Sequence, residues 1–175
     1  MTQNELLITR VEQQRVALLQ IHGTTSQDVA LHAARVFGSA DTGYNSTTGP
    51  RAYSIGPTEW LLVDYSTTEI ARRLGAEFGR ALVRITDVSG AFTALRVEGA
   101  AARAVLASDI GTPAAVAAQP GSYARTRLGS TEVILQRISA DAFELHVDRS
   151  LATHLEGWLM AQCEVASTAP NRVTQ

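Results

Sequence analysis

Short blocks of apolar residues punctuated by Gly, Pro and Ser run along this chain, and the period of each block assigns its element. Residues 16–21 are an apolar run too short for a helix and are followed by Gly23, which reads as a strand ending in a turn. Ser26 then offers an N-cap, and residues 27–37 carry Val29, Ala30, Ala33, Ala34 and Phe37 on one helical face with Gly38 as the stop. Residues 39–50 have no period and read as a loop. Strands over 52–55 and 59–65 flank a Gly56-Pro57 turn, and Trp60 and Leu62 alternate with Leu61 and Val63, a pattern suited to burial on both faces. Ser66-Thr67-Thr68-Glu69 has capping-box spacing, so a helix over 67–78 follows, with Ile70, Leu74 and Phe78 inward and Arg72, Arg73 and Glu77 outward.

The plan then recurs. Strands over 82–86 and 92–97 surround the turn Asp87-Val88-Ser89-Gly90, and Gly99 leads into a helix through Ala107. After a loop over 110–120 come three short strands, 123–128, 132–138 and 143–147, joined by Gly129-Ser130 and Ala140-Asp141. A closing helix over 150–162 places Leu151, Leu155, Trp158 and Leu159 on one face and Glu156 on the other. Val63-Asp64-Tyr65-Ser66 and Val147-Asp148-Arg149-Ser150 each end a strand and open a helix, and 19–23 and 95–99 each lead from strand to helix, as an internal duplication would produce. The expectation is an α+β fold of two ferredoxin-like halves, about 1–80 and 81–162, in a single domain over 1–162 with a flexible tail over 163–175.

Composition narrows the function. At 175 residues the chain buries a core without covalent staples, and 45% hydrophobic against 18% charged residues leaves more apolar surface than a monomer needs, unless the Ala-rich stretches inflate the count. All fifteen basic residues are Arg; none forms a run that would track a phosphate backbone. The single Cys163 excludes a disulfide framework and has no partner at zinc spacing. Residues 1–10 show no leader pattern and no apolar run approaches a membrane span, which points to the cytoplasm.

Candidate chemistry is sparse. Phosphate loops, metal-binding helices, nucleophile elbows and paired cysteines are all missing, so no catalytic, cofactor-binding or metal-ligating residue is nominated. His22, His32, His146 and His154 stand apart in sequence and read as structural. Asp87 and Asp109 lie where a loop carboxylate could serve a site, but Asp before Ser-Gly is first a turn former. Trp60 and Trp158 are large enough to anchor an interface, yet Leu61, Leu62 and Leu159 beside them favour the core.

Three ordered blocks carry a resemblance. Gly56-Pro57-Thr58-Glu59-Trp60-Leu61-Leu62-Val63, then Asp87-Val88-Ser89, then the stretch from Val97-Glu98-Gly99 through Arg103-Ala104-Val105-Leu106 resemble the gamma subunit family of heterotetrameric sarcosine oxidase. Pro120-Gly121, Ala124-Arg125-Thr126-Arg127-Leu128 and Val147-Asp148-Arg149-Ser150-Leu151-Ala152 look like later blocks of that family; residues 1–45 match none. The resemblance implies a fold like the folate-binding domain of aminomethyltransferases and a non-catalytic role beside alpha, beta and delta subunits. Together these oxidise sarcosine to glycine, a one-carbon unit and hydrogen peroxide. It also implies that FAD, FMN, NAD and tetrahydrofolate sit on other subunits, with none on this chain. The alternative is a free-standing folate-binding or aminomethyltransferase-like protein, for which Asp87 is the first candidate to meet the pterin.

Overall fold

The structure, a computed structural model, describes residues 6–12, 14–37, 47, 49–79, 81–109 and 119–168. In chain order its strands are β1 (Leu7–Val11), β2 (Val16–His22), β3 (Arg51–Gly56), β4 (Glu59–Val63), β5 (Leu82–Asp87), β6 (Phe92–Glu98), β7 (Tyr123–Leu128), β8 (Thr131–Arg137) and β9 (Ala142–Asp148). The helices are α1 (Ser26–Phe37), α2 (Thr67–Phe78), α3 (Ala102–Asp109) and α4 (Ala152–Thr168), the last entered through a 3₁₀ turn, Arg149–Leu151. They form two compact units: a nested unit, Glu12–Thr93, and a flanking unit composed of Met1–Val11 with Ala94–Gln175. The division differs from the halves expected at 1–80 and 81–162, because β5 stays with the nested unit and β1 joins the flanking one.

In the nested unit the chain runs β2-α1-β3-β4-α2-β5, and the sheet order is β3-β4-β2-β5 with every pairing antiparallel. That is the split βαβ arrangement of ferredoxin-like domains. The period-two pattern of β2 and β4 turns Ala17, Leu19, Ile21, Trp60 and Leu62 toward the helices, where they meet Val29, Ala33 and Phe37 of α1 and Ile70, Leu74 and Phe78 of α2. Each fully buried Leu or Ile contributes about 1.5–3 kcal/mol relative to exposure. The opposite face of β3 and β4 is buried too, at Tyr53, Leu61 and Val63, as the continuous apolar run of β4 requires. The hydroxyl of Ser66 accepts a bond from the Glu69 amide at 3.4 Å, while the Glu69 carboxylate engages Arg72 and Arg73. Thr25, not Ser26, caps α1: its hydroxyl accepts from the Asp28 amide at 3.2 Å, one residue earlier than the spacing suggested.

The flanking unit repeats the plan with a different closing strand. Its sheet order is β1-β6-β9-β8-β7, so β6, β8, β9 and β1 occupy the positions that β2, β3, β4 and β5 occupy in the nested sheet, and β7 adds an outer strand. β1 pairs antiparallel with β6 over its whole length, from Leu7↔Glu98 to Val11↔Ala94. Arg10 secures it to α4, donating to the Glu156 carboxylate at 2.6 and 2.7 Å and to the Thr153 hydroxyl at 2.8 Å. Leu95, Val97, Val105, Leu106, Leu135, Phe143, Leu145, Leu155 and Leu159 make the core.

Two details of α4 depart from expectation. The 3₁₀ turn shifts the helix phase, leaving Leu151 41% exposed and putting Ala152 in the core instead. The helix also continues to Thr168, beyond the expected end at 162 and into the expected tail. The remainder of that tail, and most of the expected loops over 39–50 and 110–120, lie outside the described residues.

Candidate functional site

The nested unit carries a cleft of about 230 Å³ between the first turn of α2 and the turn after β5, lined by Arg15, Val16, Ala17, Tyr65, Ser66, Thr67, Thr68, Asp87 and Ser89. Asp87, the carboxylate singled out in the sequence, stands on its wall. Its Oδ1 accepts the Ser89 amide at 2.9 Å and the Ser89 hydroxyl at 2.7 Å, so it builds the turn as its sequence neighbours suggested. Those bonds, the backbone one foremost, hold Asp87 below its ordinary value of 3.8. Ser89 in turn accepts the Val16 amide at 2.9 Å, and the Val88 amide donates to the Val16 carbonyl at 2.8 Å, tying the turn to β2. Burial pushes the Tyr65 phenol above its ordinary value of 10.0, against the opposing pull of Arg73. The cleft thus offers hydroxyls, one arginine and one carboxylate already engaged by two donors. Asp109, the second carboxylate considered, ends α3.

A second cluster lies on the flanking sheet, on the side away from α3 and α4. Residues two apart on a strand share a face, so Glu144 and His146 of β9 point the same way, as do Arg96 and Glu98 of β6. His146 Nε2 stands 3.2 Å from Glu144 Oε1, both buried. Arg96 reaches Glu144 at 3.7 Å and Glu98 at 2.9 Å. A buried carboxylate is tolerable when cations and hydrogen bonds surround it, and here Arg96 and His146 flank Glu144.

The histidines therefore divide. His32 lies 3.0 Å from Glu77 and packs against Phe78 with ring centroids 5.1 Å apart and planes tilted by 58°, linking α1 to α2. The hydrogen bond from His32, then Arg35, holds the Glu77 carboxyl below its ordinary 4.5. His22 is exposed at the end of β2, and His154 is exposed on α4 with Nε2 3.5 Å from the Ser130 hydroxyl. Acid partners for His32 and His146 were not anticipated; for His146 the signal was present, since Glu144-Leu145-His146 on a strand puts both ionisable groups on one face. Trp60 is buried at 3% exposure and Trp158 is half-buried against the β7–β8 turn. Among the described residues no group of three or more His, Cys, Asp or Glu is arranged to hold a metal ion, and no helix is long and apolar enough to cross a membrane.

Comparison with known proteins gives the fold its class. No family model matches the chain, and no curated protein matches it. Among solved structures it is similar to aminomethyltransferase T of the glycine cleavage system from Bartonella henselae, with a TM-score of 0.56 and 14% identity, over 89% of this chain and 45% of that one. The fold is of the aminomethyltransferase type, two ferredoxin-like units with two antiparallel sheets, as the sequence led one to expect. More particularly, the chain is similar to a chain of the heterotetrameric sarcosine oxidase from Corynebacterium sp. U-96, solved in complex with pyrrole 2-carboxylate. There the TM-score is 0.68 and the identity 20%, over 97% of this chain and 88% of that one. The family that the sequence blocks resemble and the solved structure that the fold resembles are both heterotetrameric sarcosine oxidases.

Proposed function

We propose that this chain is a non-catalytic subunit, gamma in kind, of a multi-subunit sarcosine oxidase, cytoplasmic and inactive by itself, which packs against the alpha, beta and delta chains. The observation that carries the reading is the correspondence over 97% of this chain and 88% of a chain from a heterotetrameric sarcosine oxidase. A likeness that nearly exhausts both chains favours an equivalent part of an equivalent assembly over a domain borrowed into another context. Further support comes from the chemistry in hand: the Asp87 carboxylate is committed to its turn, and Glu144 is enclosed by its own neighbours. On this reading FAD, FMN, NAD and tetrahydrofolate are held by the other subunits.

The test is co-expression with and without alpha, beta and delta subunits of a sarcosine oxidase. The expected result is co-elution in a yellow complex that releases peroxide on sarcosine, with neither flavin nor activity in the chain alone. A stable chain that ignores those subunits and takes up tetrahydrofolate in calorimetry would replace this reading with a free-standing folate-binding protein.

A further inference from the structure

Four strands lie at the outer positions of the two sheets, and they are not equally protected against pairing with another chain. β3 carries a bulge between Ser54 and Gly56 and runs into Pro57. β7 alternates exposed Arg125 and Arg127 along one face, and the five-residue β1 is held to α4 by Arg10. Bulges, prolines, charges and short length are the devices by which sheet edges resist further pairing. β5 lacks most of them. It is six residues long, unbulged against β2 from Ala17↔Asp87 to His22↔Leu82, and free of Pro and Gly.

The direction of its backbone groups follows from the ladder. In an antiparallel pair successive residues point their amides alternately toward and away from the partner. The Val88 amide donates to the Val16 carbonyl, and the Ile21 amide donates to the Thr58 carbonyl on the other side of β2. Even-numbered residues of β5 therefore face β2, and Val83, Ile85 and Asp87 present their amides and carbonyls outward, where no described residue meets them. On the face away from the helices Leu82 is 67% exposed, more than any other large apolar side chain among the described residues, and no carboxylate among the described residues pairs with Arg84 on the same face.

We propose that the open edge of β5 receives an extended strand from a partner subunit, with an apolar-x-acidic pattern that covers Leu82 and sets a carboxylate against Arg84. This rests on the subunit reading above. Main-chain bonds to Val83 and Ile85 supply the pairing, and alternate side chains supply the choice of partner. Charge decides against a second copy of this chain as the occupant. Two β5 strands related by a two-fold axis would bring Arg84 opposite or diagonal to its own counterpart in every register that overlaps most of the strand, and like charges so placed repel.

Hydrogen exchange of the complex with sarcosine oxidase alpha, beta and delta subunits, compared with the chain alone, tests this. The Val83 and Ile85 amides are expected to exchange rapidly in the free chain and at least about tenfold more slowly in the complex. Arg84→Glu, at an exposed position that leaves the fold intact, weakens assembly by roughly tenfold or more, whereas Arg127→Glu on β7 does not. A complex that forms with Val83 and Ile85 unprotected overturns the inference and leaves the subunit reading standing. Failure of wild-type chain to join any subunit overturns both. Protection that grows with the concentration of the chain alone puts a second copy on the edge and overturns the proposed occupant.

Discussion

Gly129→Ala places a methyl group against an indole. β7 and β8 are joined by two residues, because Leu128 pairs directly with Thr131; Gly129 has φ +57° and Ser130 does not take a positive φ, which is the type II′ hairpin. A Cβ built on Gly129 would meet Trp158 Nε1 at 3.0 Å and Cδ1 and Cε2 at 3.3 Å. Two effects add: an L-residue in this backbone region costs about 1–3 kcal/mol, and crowding a packed ring by one methyl costs about 1–3 kcal/mol. The variant should therefore be about 2–6 kcal/mol less stable, with Trp158 displaced. Urea unfolding followed by tryptophan emission measures both effects, since Trp158 reports on the flanking unit and Trp60 on the nested one. Adding Trp158→Leu should recover the crowding portion and leave the backbone portion. A Gly129→Ala protein within about 0.5 kcal/mol of wild type, near the limit for surface substitutions, would refute the assignment of the turn and of the indole contact together.

Other substitutions probe the remaining joints. Ser66→Ala removes the hydroxyl that accepts the Glu69 amide and should lower stability by about 1 kcal/mol, read from the denaturation midpoint at unchanged slope. Leu74→Ala, at a position with no exposure, should cost about 2–5 kcal/mol by the same measurement. Asp87 and Asp148 both lie below their ordinary value of 3.8 because Ser89 and Ser150 donate to them. A depressed carboxyl stabilises fully above its unfolded value and ceases to do so as pH falls through its folded one. Stability should thus decline with acidification below about pH 4, and Asp87→Asn should flatten part of that decline in a pH series of urea midpoints.

Much of the fold was legible because its signals are local. The capping serine of α2, the Gly56-Pro57 turn, the four-residue spacing of Ile70, Leu74 and Phe78 and the Gly129-Ser130 hairpin each act within a few positions of one another. β1 was not legible. Leu-Ile-Thr-Arg-Val is too weakly patterned to declare a strand alone, and its partner β6 lies beyond an entire ferredoxin-like unit. The shift of Leu151 to the surface was hidden for another reason: a single 3₁₀ turn rotates the start of α4, and no residue spacing announces it. At the candidate sites the turn role of Asp87 could be read from Asp-Val-Ser, and the same Asp-x-Ser arrangement recurs at Asp148-Arg149-Ser150. The matched Asp64 behaves otherwise, with φ 59° and its carboxylate accepting the Arg15 amide at 3.1 Å. His32 and Glu77 meet only because α1 and α2 share one sheet face, a juxtaposition that tertiary structure alone creates.

The borrowed strand of the flanking unit has a temporal consequence. On the ribosome β1 is synthesised before the whole nested unit, yet its pairing partner β6 is made only afterwards, so β1 must wait as an unpaired segment while the nested unit completes itself. Its closure is the contact of longest sequence separation in the sheet and carries the corresponding loop entropy. The flanking sheet should consequently be the slower of the two to mature. An early-made strand would then close into a later-made site, a sequence of events observable by pulse-labelling nascent chains at increasing lengths.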